Sequence, residues 1–398
     1  MIYLDNNATT RPLPDAARAS DRMLRELWAN PSSVHRFGQE ARREVELARR
    51  RVAGLLGCSP REIVFTGSGT ESIDAALRGA LLARPPVQRG LVSAAVEHEA
   101  VRDLAGALDG EGAARVLAAP IGAHGVVDAD ALGALLRERA AAGEPVGVIS
   151  VQWANNETGA VQPVEHIARV AREHDAVFHT DATQWVGKMP TDLGGAHAFV
   201  DLLSCAPHKW HGPKGVGILF ARRRVRVRPV VHGAQELGRR GGTENTAGIA
   251  AAGVAAEAAA AWLAESAERD RLAGLRDRFE RAVLDAVPGA VVNGPDGPGA
   301  RLWNTTNIGF PALEAEAMLV ALSERGVCAS AGAACSSGSL DPSPVLLAMG
   351  VAEPVAHGSL RFSLSRDTTA EELDAAARAI GEVVDRMGGV GKRVESRK

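Results

Sequence analysis

Short apolar runs alternate with helix-length segments between residues 62 and 221, and this alternation constrains the fold more than any other feature. Residues 62–66, 91–95, 146–151, 176–180, 199–204 and 217–221 each read as a strand. Helical patterns occupy 71–83 and 164–174, and an amphipathic helix over 39–56, stopped by Gly57, precedes the first strand. Parallel neighbours need a crossover, so strands alternating with helices predict an α/β layer around a mainly parallel sheet. The pattern changes near residue 250. An alanine-rich helix (247–264) leads into a charged one (265–287), then a Gly/Pro turn at 293–299, then shorter mixed elements. This predicts a large α/β domain to about residue 258 and a smaller α+β domain after it, with a polar, frayed tail from Gly388.

With 46% hydrophobic residues, a 398-residue chain can bury two such cores. The net charge of −3 carries no footprint for direct nucleic-acid binding, and the basic run ARRRVRVR at 221–228 reads as a solvated strand edge. Four cysteines, Cys58, Cys205, Cys328 and Cys335, are too few for a disulfide scaffold, and without a CxxC pair they argue against a thiolate zinc site; no metal is expected. The opening MIYLD lacks the pattern of a secretory leader, and the 247–264 segment contains Glu257, so it reads as a packed helix, not a membrane span. A cytoplasmic, reducing setting is the expectation.

Ligands of open α/β sheets gather where the strands end, so the residues after each strand matter most. TGSGTES at 66–72 opens a helix, and its glycines and free amides suit an anion such as phosphate, although alone it is an ordinary helix cap. VEHE at 96–99 brings His98 to a strand end. WANNETG at 153–159 is a polar loop. DATQ at 181–184 sets a carboxylate at the end of an apolar strand, costly to bury without a cationic partner. SCAPHKWHGPKGVG at 204–217 supplies His208 and Lys209. One cofactor accounts for all five loops. Pyridoxal 5′-phosphate needs an anion cradle, a lysine for covalent attachment, an acid beside its pyridinium nitrogen and a flat group against its ring.

These residues, with YLDNNATT at 3–10, NPSS at 30–33, GTEN at 242–245, AGAAC at 331–335 and RFSL at 361–364, resemble a cysteine desulfurase of the NifS/IscS type, within the class-V aminotransferases of fold type I. The resemblance spans nearly the whole chain. It implies a large pyridoxal-phosphate domain over 16–258, with 1–15 and 259–398 forming a small domain that carries the cysteine loop and the substrate arginine. Position by position it implies that Lys209 attaches the cofactor and moves the α-proton, that Asp181 pairs with the pyridinium nitrogen, and that Gln184 contacts the ring hydroxyl. His98 would stack on the ring and handle protons. Gly69, Thr70 and His208 would hold the phosphate, with Thr243 supplied by the second subunit of a homodimer. Asn156 would line the cofactor and, with Arg361, bind the substrate carboxylate, which a planar guanidinium matches in bidentate fashion.

Cys335, among the small residues Gly332, Ala333, Ala334, Ser336, Ser337 and Gly338, resembles the working thiol of the longer-loop desulfurases. Its thiolate would take sulfur from L-cysteine as a persulfide, release L-alanine and pass the sulfur to an acceptor protein. Cys58, Cys205 and Cys328 read as small buried hydrophobes. Two departures from the family pattern stand out. Ala206 replaces the serine usual two residues before His208, and Pro207 lacks an amide donor, which predicts a weakened phosphate grip. The tail GKRVESRK differs from the scaffold-binding tail of housekeeping IscS proteins. Iron–sulfur cluster assembly, nitrogenase maturation, tRNA thiolation and DNA phosphorothioation all draw on enzymes of this kind. The rivals are a selenocysteine lyase or aminotransferase of the same fold, and a non-catalytic sulfur-transfer scaffold. Cys335 argues against the aminotransferase, and intact Lys209, Asp181 and Arg361 argue against the scaffold.

Overall fold

The computed structural model describes residues 1–331 and 341–395, with side chains through 388. A seven-stranded sheet has the spatial order Ile63–Thr66, Gly217–Ala221, Leu202–Cys205, Val177–Asp181, Val146–Ser150, Gly90–Ser93, Arg115–Ala118. Only Gly217–Ala221 runs against its neighbours; every other adjacent pair is parallel. The central strands are buried along their whole length, as expected for strands covered by helices on both faces.

Two strand assignments shift from the sequence pattern. Residues 199–201 lie outside the strand, because the Asp201 carboxylate turns back to accept the Phe178 N–H, and pairing starts at Leu202. The edge strand Arg115–Ala118 was not predicted; its exposed, polar start hides the apolar signature. The helix Thr246–Leu263 is apolar enough to cross a membrane, but it packs along the helices Pro14–Arg25 and Arg36–Leu56 and buries Ile249 and most of its alanines, as the packed-helix reading expected. Of the tail expected to fray from Gly388, residues 388–395 instead continue the helix Ala370–Glu395, and the rest lies outside the described residues.

A second sheet, antiparallel, has the order Ser330–Ala331, Ser359–Ser363, Thr305–Gly309, Val291–Val292. Its core contains Phe279, Ile308, Phe310, Phe362, Leu373 and Ile380, and also Leu4. The chain start joins this sheet's surroundings directly: Ile2–Tyr3 pairs in parallel with Val327–Cys328, and Asp5 bridges to Ser363. Residues 5–10 then run from the small sheet to the strand ends of the large one.

Candidate active site

Register places Ser93 opposite Ser150, Ser150 opposite His179, and Asp181 opposite Ser204, so the loops after these strands open on one edge of the sheet. There a cavity of about 320 Å³ is lined by Asn7, Ala8, Ser68, Gly69, Thr70, His98, Gln152, Asn156, Asp181, Thr183, Gln184, Ala206, His208, Lys209 and Arg361. Nine of the predicted site residues, Gly69, Thr70, His98, Asn156, Asp181, Gln184, His208, Lys209 and Arg361, therefore meet in one place. Thr243 does not line the cavity of its own chain and is exposed. Cys335 lies outside the described residues.

One end of the cavity is a helix N-terminus. Ser68 caps the helix Gly69–Ala83 by accepting the Glu71 N–H at 3.0 Å, and the first-turn amides of Gly69 and Thr70 have no intrahelical acceptor. A Cβ on Gly69 would come 3.3 Å from the Ala206 Cβ and 3.7 Å from the Thr183 hydroxyl, so the glycine keeps this wall open for an anion. His208 stands at the same end. Its Nδ1 pairs with the Thr9 hydroxyl at 3.2 Å, and burial, then Lys209 and Lys214, push its pKa down to about 4, so the ring is neutral at pH 7.

At the floor, Asp181 is 6% exposed and its Oδ1 accepts the Thr183 N–H at 2.9 Å. Two residues earlier on the same strand, His179 is wholly buried between the Ser150 and Ser204 hydroxyls at 2.9 and 3.0 Å; burial pushes its pKa to about 4. His98 caps the helix Glu99–Gly110, with Nδ1 accepting the Ala100 N–H at 3.1 Å. Before it, Glu97 is buried and held well above the usual carboxylate range, chiefly by burial. Its Oε1 accepts the Gln152 N–H at 2.7 Å, and Oε2 has no partner among the described residues.

Lys209 projects into the cavity and donates to the main-chain carbonyls of Asn7 at 2.7 Å and Ala8 at 2.8 Å. At the far end Arg361 is 3% exposed. It donates from Nη2 to Asp5 at 2.7 Å and from Nη1 to the Asn156 carbonyl at 3.1 Å, while its Nε and the Asn156 Oδ1 are buried with no partner among the described residues. Buried unpaired polar atoms are costly, and these two border the space a ligand would fill. The donor set fits pyridoxal 5′-phosphate: free helix amides at a glycine wall, a nearly buried carboxylate at the floor and a lysine between them.

Sequence reasoning did not single out three residues of this site. Asp5 and Asn7 lie within the quoted YLDNNATT segment, but their contacts are 356 and 202 residues away along the chain. Lys188 is buried behind Gln184, and a charged residue in the loop after a strand was the signal that could have found it. Of the three cysteines expected to be buried, only Cys205 is fully so, while Cys58 and Cys328 are half-buried; burial pushes the Cys58 thiol up to about 12, and Cys205 higher still.

The family model for class-V aminotransferases matches residues 2–376. A cysteine desulfurase from Nostoc sp. is 44% identical over 388 residues, covering 97% of this chain and 94% of the relative. A solved NifS-like protein superposes with a TM-score of 0.87 at 34% identity, covering 96% of this chain and 99% of its own. A structure described as SspA in complex with cysteine gives a TM-score of 0.78 at 31% identity, covering 93% of this chain and 100% of its own.

Proposed function

The chain belongs to the class-V aminotransferase family, and from that premise we infer that it is a cysteine desulfurase using pyridoxal 5′-phosphate, converting L-cysteine to L-alanine and leaving a persulfide on Cys335. The observation that carries the reading is the convergence of Lys209, Asp181 and the N-terminus of the helix Gly69–Ala83 on one cavity. Gly69, Thr70 and His208 would hold the phosphate, Asp181 would pair with the pyridine nitrogen, Lys209 would supply the amine for covalent attachment, His98 would stack on the ring and Gln184 would contact its hydroxyl. Once bound, the cofactor supplies an electron-accepting ring conjugated to the substrate Cα.

The chain's own residues do the rest. Arg361 and Asn156 take the L-cysteine carboxylate, using the Nε edge of the guanidinium, which has no partner among the described residues, and so orient the Cα–H toward Lys209. Lys209 Nζ takes the α-proton. The Cys335 thiolate then attacks the substrate sulfur. A sulfur–sulfur bond forms, the carbon–sulfur bond breaks, and the departing electron pair is protonated on carbon as alanine. A second thiol, on an acceptor protein, takes the outer sulfur from Cys335. Residues 1–15 and 259–398 form the small domain that presents Arg361 to the large domain at 16–258. A homodimer is favoured by Leu24, Trp28, Phe37 and Leu237, large apolar side chains left exposed, and by the exposed Thr243, which would be free to reach the phosphate site of a second subunit. The enzyme works in the cytoplasm, where its thiols stay reduced.

The test is product analysis. With L-cysteine and a reductant the holoenzyme releases sulfide and alanine in equal amounts. Cys335→Ser stops sulfide release and keeps the visible cofactor band. Full-rate sulfide release from the serine variant would overturn the assignment.

A further inference from the structure

Lys188 is a lysine buried to 4% exposure, and among the described residues no carboxylate pairs with it. Gly187, at φ 76°, turns the chain just before it. A Cβ there would lie 2.4 Å from the Trp210 Cβ, so the turn is pressed against Trp210 and Lys188 is directed inward. Its Nζ donates to Asn7 Oδ1 at 2.8 Å and to Gln184 Oε1 at 2.6 Å. The same two residues reach the cavity. The Asn7 main-chain carbonyl accepts from Lys209 Nζ at 2.7 Å and from Gln184 Nε2 at 3.0 Å. Asn7 is tied on its other side to the Asn156 carbonyl at 3.1 Å and the Thr305 hydroxyl at 2.9 Å.

An amide can present either its oxygen or its nitrogen to a neighbour, and the network decides which. Against Lys188 the oxygen of Gln184 must face the amine, so the Gln184 nitrogen faces Asn7 and the cavity. Burial, with Lys209 and Arg361 close by, drives the Lys188 amine well below the ordinary lysine range. Two side-chain acceptors, Asn7 Oδ1 and Gln184 Oε1, meet the Lys188 Nζ donor.

We propose that Lys188 is a positioning residue: its two hydrogen bonds hold the Asn7 carbonyl against Lys209 and turn the N–H side of the Gln184 amide toward the cavity. The proposal rests on the reading of Lys209 as the cofactor-anchoring lysine. Lys188→Met keeps the length of the side chain and removes both donors, which frees the Gln184 amide to flip.

Titration of the apoenzyme with pyridoxal 5′-phosphate should show affinity falling about tenfold in Lys188→Met, the loss of one or two buried hydrogen bonds. The pH midpoint of the holoenzyme's visible band should move as well. Gln184→Leu should reproduce part of the loss, and Lys188→Met added to it should cost less than about twofold more, because the two act through one amide. Acetylation of the apoenzyme, read by peptide mass, should show the Lys209 rate changing about threefold once its amine is no longer held in place. Unchanged affinity and an unchanged band in a folded Lys188→Met would overturn the proposal and leave the desulfurase reading standing. Should Lys188→Met not fold, full additivity of Gln184→Leu with Lys188→Gln would overturn it. Should the parent chain fail to bind pyridoxal 5′-phosphate, the reading of the site fails, and an unchanged Lys209 acetylation rate then overturns the role of Lys188 independently.

Discussion

At the sheet end of the cavity, Gly69, Thr70, Asp181, Ala206, His208 and Lys209 come from three loops, two following parallel strands of one sheet and one preceding a helix on it. At the opposite end, Asp5, Asn7, Asn156 and Arg361 meet across sequence separations as large as 356 residues. The first set is positioned by strand register, which fixes all the strand ends at once. The second exists only when the small sheet docks on the large one, because Arg361 projects from Ser359–Ser363 and reaches Asn156 on the other side. The sheet end is thus a rigid holder, while the far end depends on how two cores sit together. That difference suits a site in which a cofactor stays and a substrate comes and goes.

The largest effect should come from acid, and it falls on the sheet end. His179 has a folded-state pKa of about 4 against an ordinary 6.5. Between these values the unfolded chain binds the proton and the folded chain does not, so stability from this residue is full above pH 6.5 and is lost as pH falls toward 4. The loss approaches roughly 3 kcal/mol at 1.36 kcal/mol per unit. Glu97 and Glu157, both raised by burial, have the opposite sign: their folded state is favoured at low pH. The whole-chain curve therefore mixes the two slopes. The clean measurement is the difference in urea-unfolding free energy between the parent and His179→Gln at pH 7 and at pH 4.5. The parent's advantage should shrink by most of that amount; a constant difference would show that His179 titrates normally.

Next comes Arg361→Lys, which attacks the far end alone. A point charge cannot satisfy Asp5, the Asn156 carbonyl and a substrate carboxylate with one planar fork. Steady-state assays should show kcat/KM for L-cysteine down about 100-fold, with cofactor affinity within about twofold of the parent. Equal losses in both quantities would mean that the two ends are not separable. The converse variant is Gly69→Ala. Its new methyl would sit 3.3 Å from the Ala206 Cβ and narrow the anion wall. Cofactor affinity should fall about tenfold while KM for L-cysteine holds, a split visible by comparing apoenzyme titration with saturated kinetics.

Much of the sheet end was legible in the sequence. An apolar run followed by a glycine-rich or acidic loop is a local signal, and Asp181, Lys209 and Gly69 each stand directly after such a run or at a helix start. The edge strand Arg115–Ala118 was missed because half of it faces water, and the 199–201 turn was missed because Phe199 and Val200 look like strand residues until the Asp201 carboxylate caps Phe178. The far end was legible only through family resemblance, since nothing around Arg361 announces that its partner is Asp5. Lys188 escaped both routes. In sequence a single lysine reads as surface, and only the packing of Gly187 on Trp210 turns it inward.

The smallest predicted effect tests the sheet end where it departs from the family. Ala206 is buried, lines the cavity and faces Gly69, so its side chain points at the anion wall yet offers no donor. Around it the wall already has first-turn amides and the Thr70, Thr183 and His208 side chains. One added hydroxyl therefore joins a site with several donors and contributes a single hydrogen bond, worth about 1 kcal/mol net. Ala206→Ser should tighten pyridoxal 5′-phosphate about fivefold, measured as slower loss of the visible band on dilution, without altering KM for L-cysteine. The Oγ has room because the facing residue has no side chain. If retention is unchanged, the existing amides already saturate the phosphate oxygens, and the helix N-terminus rather than the residue at position 206 governs how tightly this end holds.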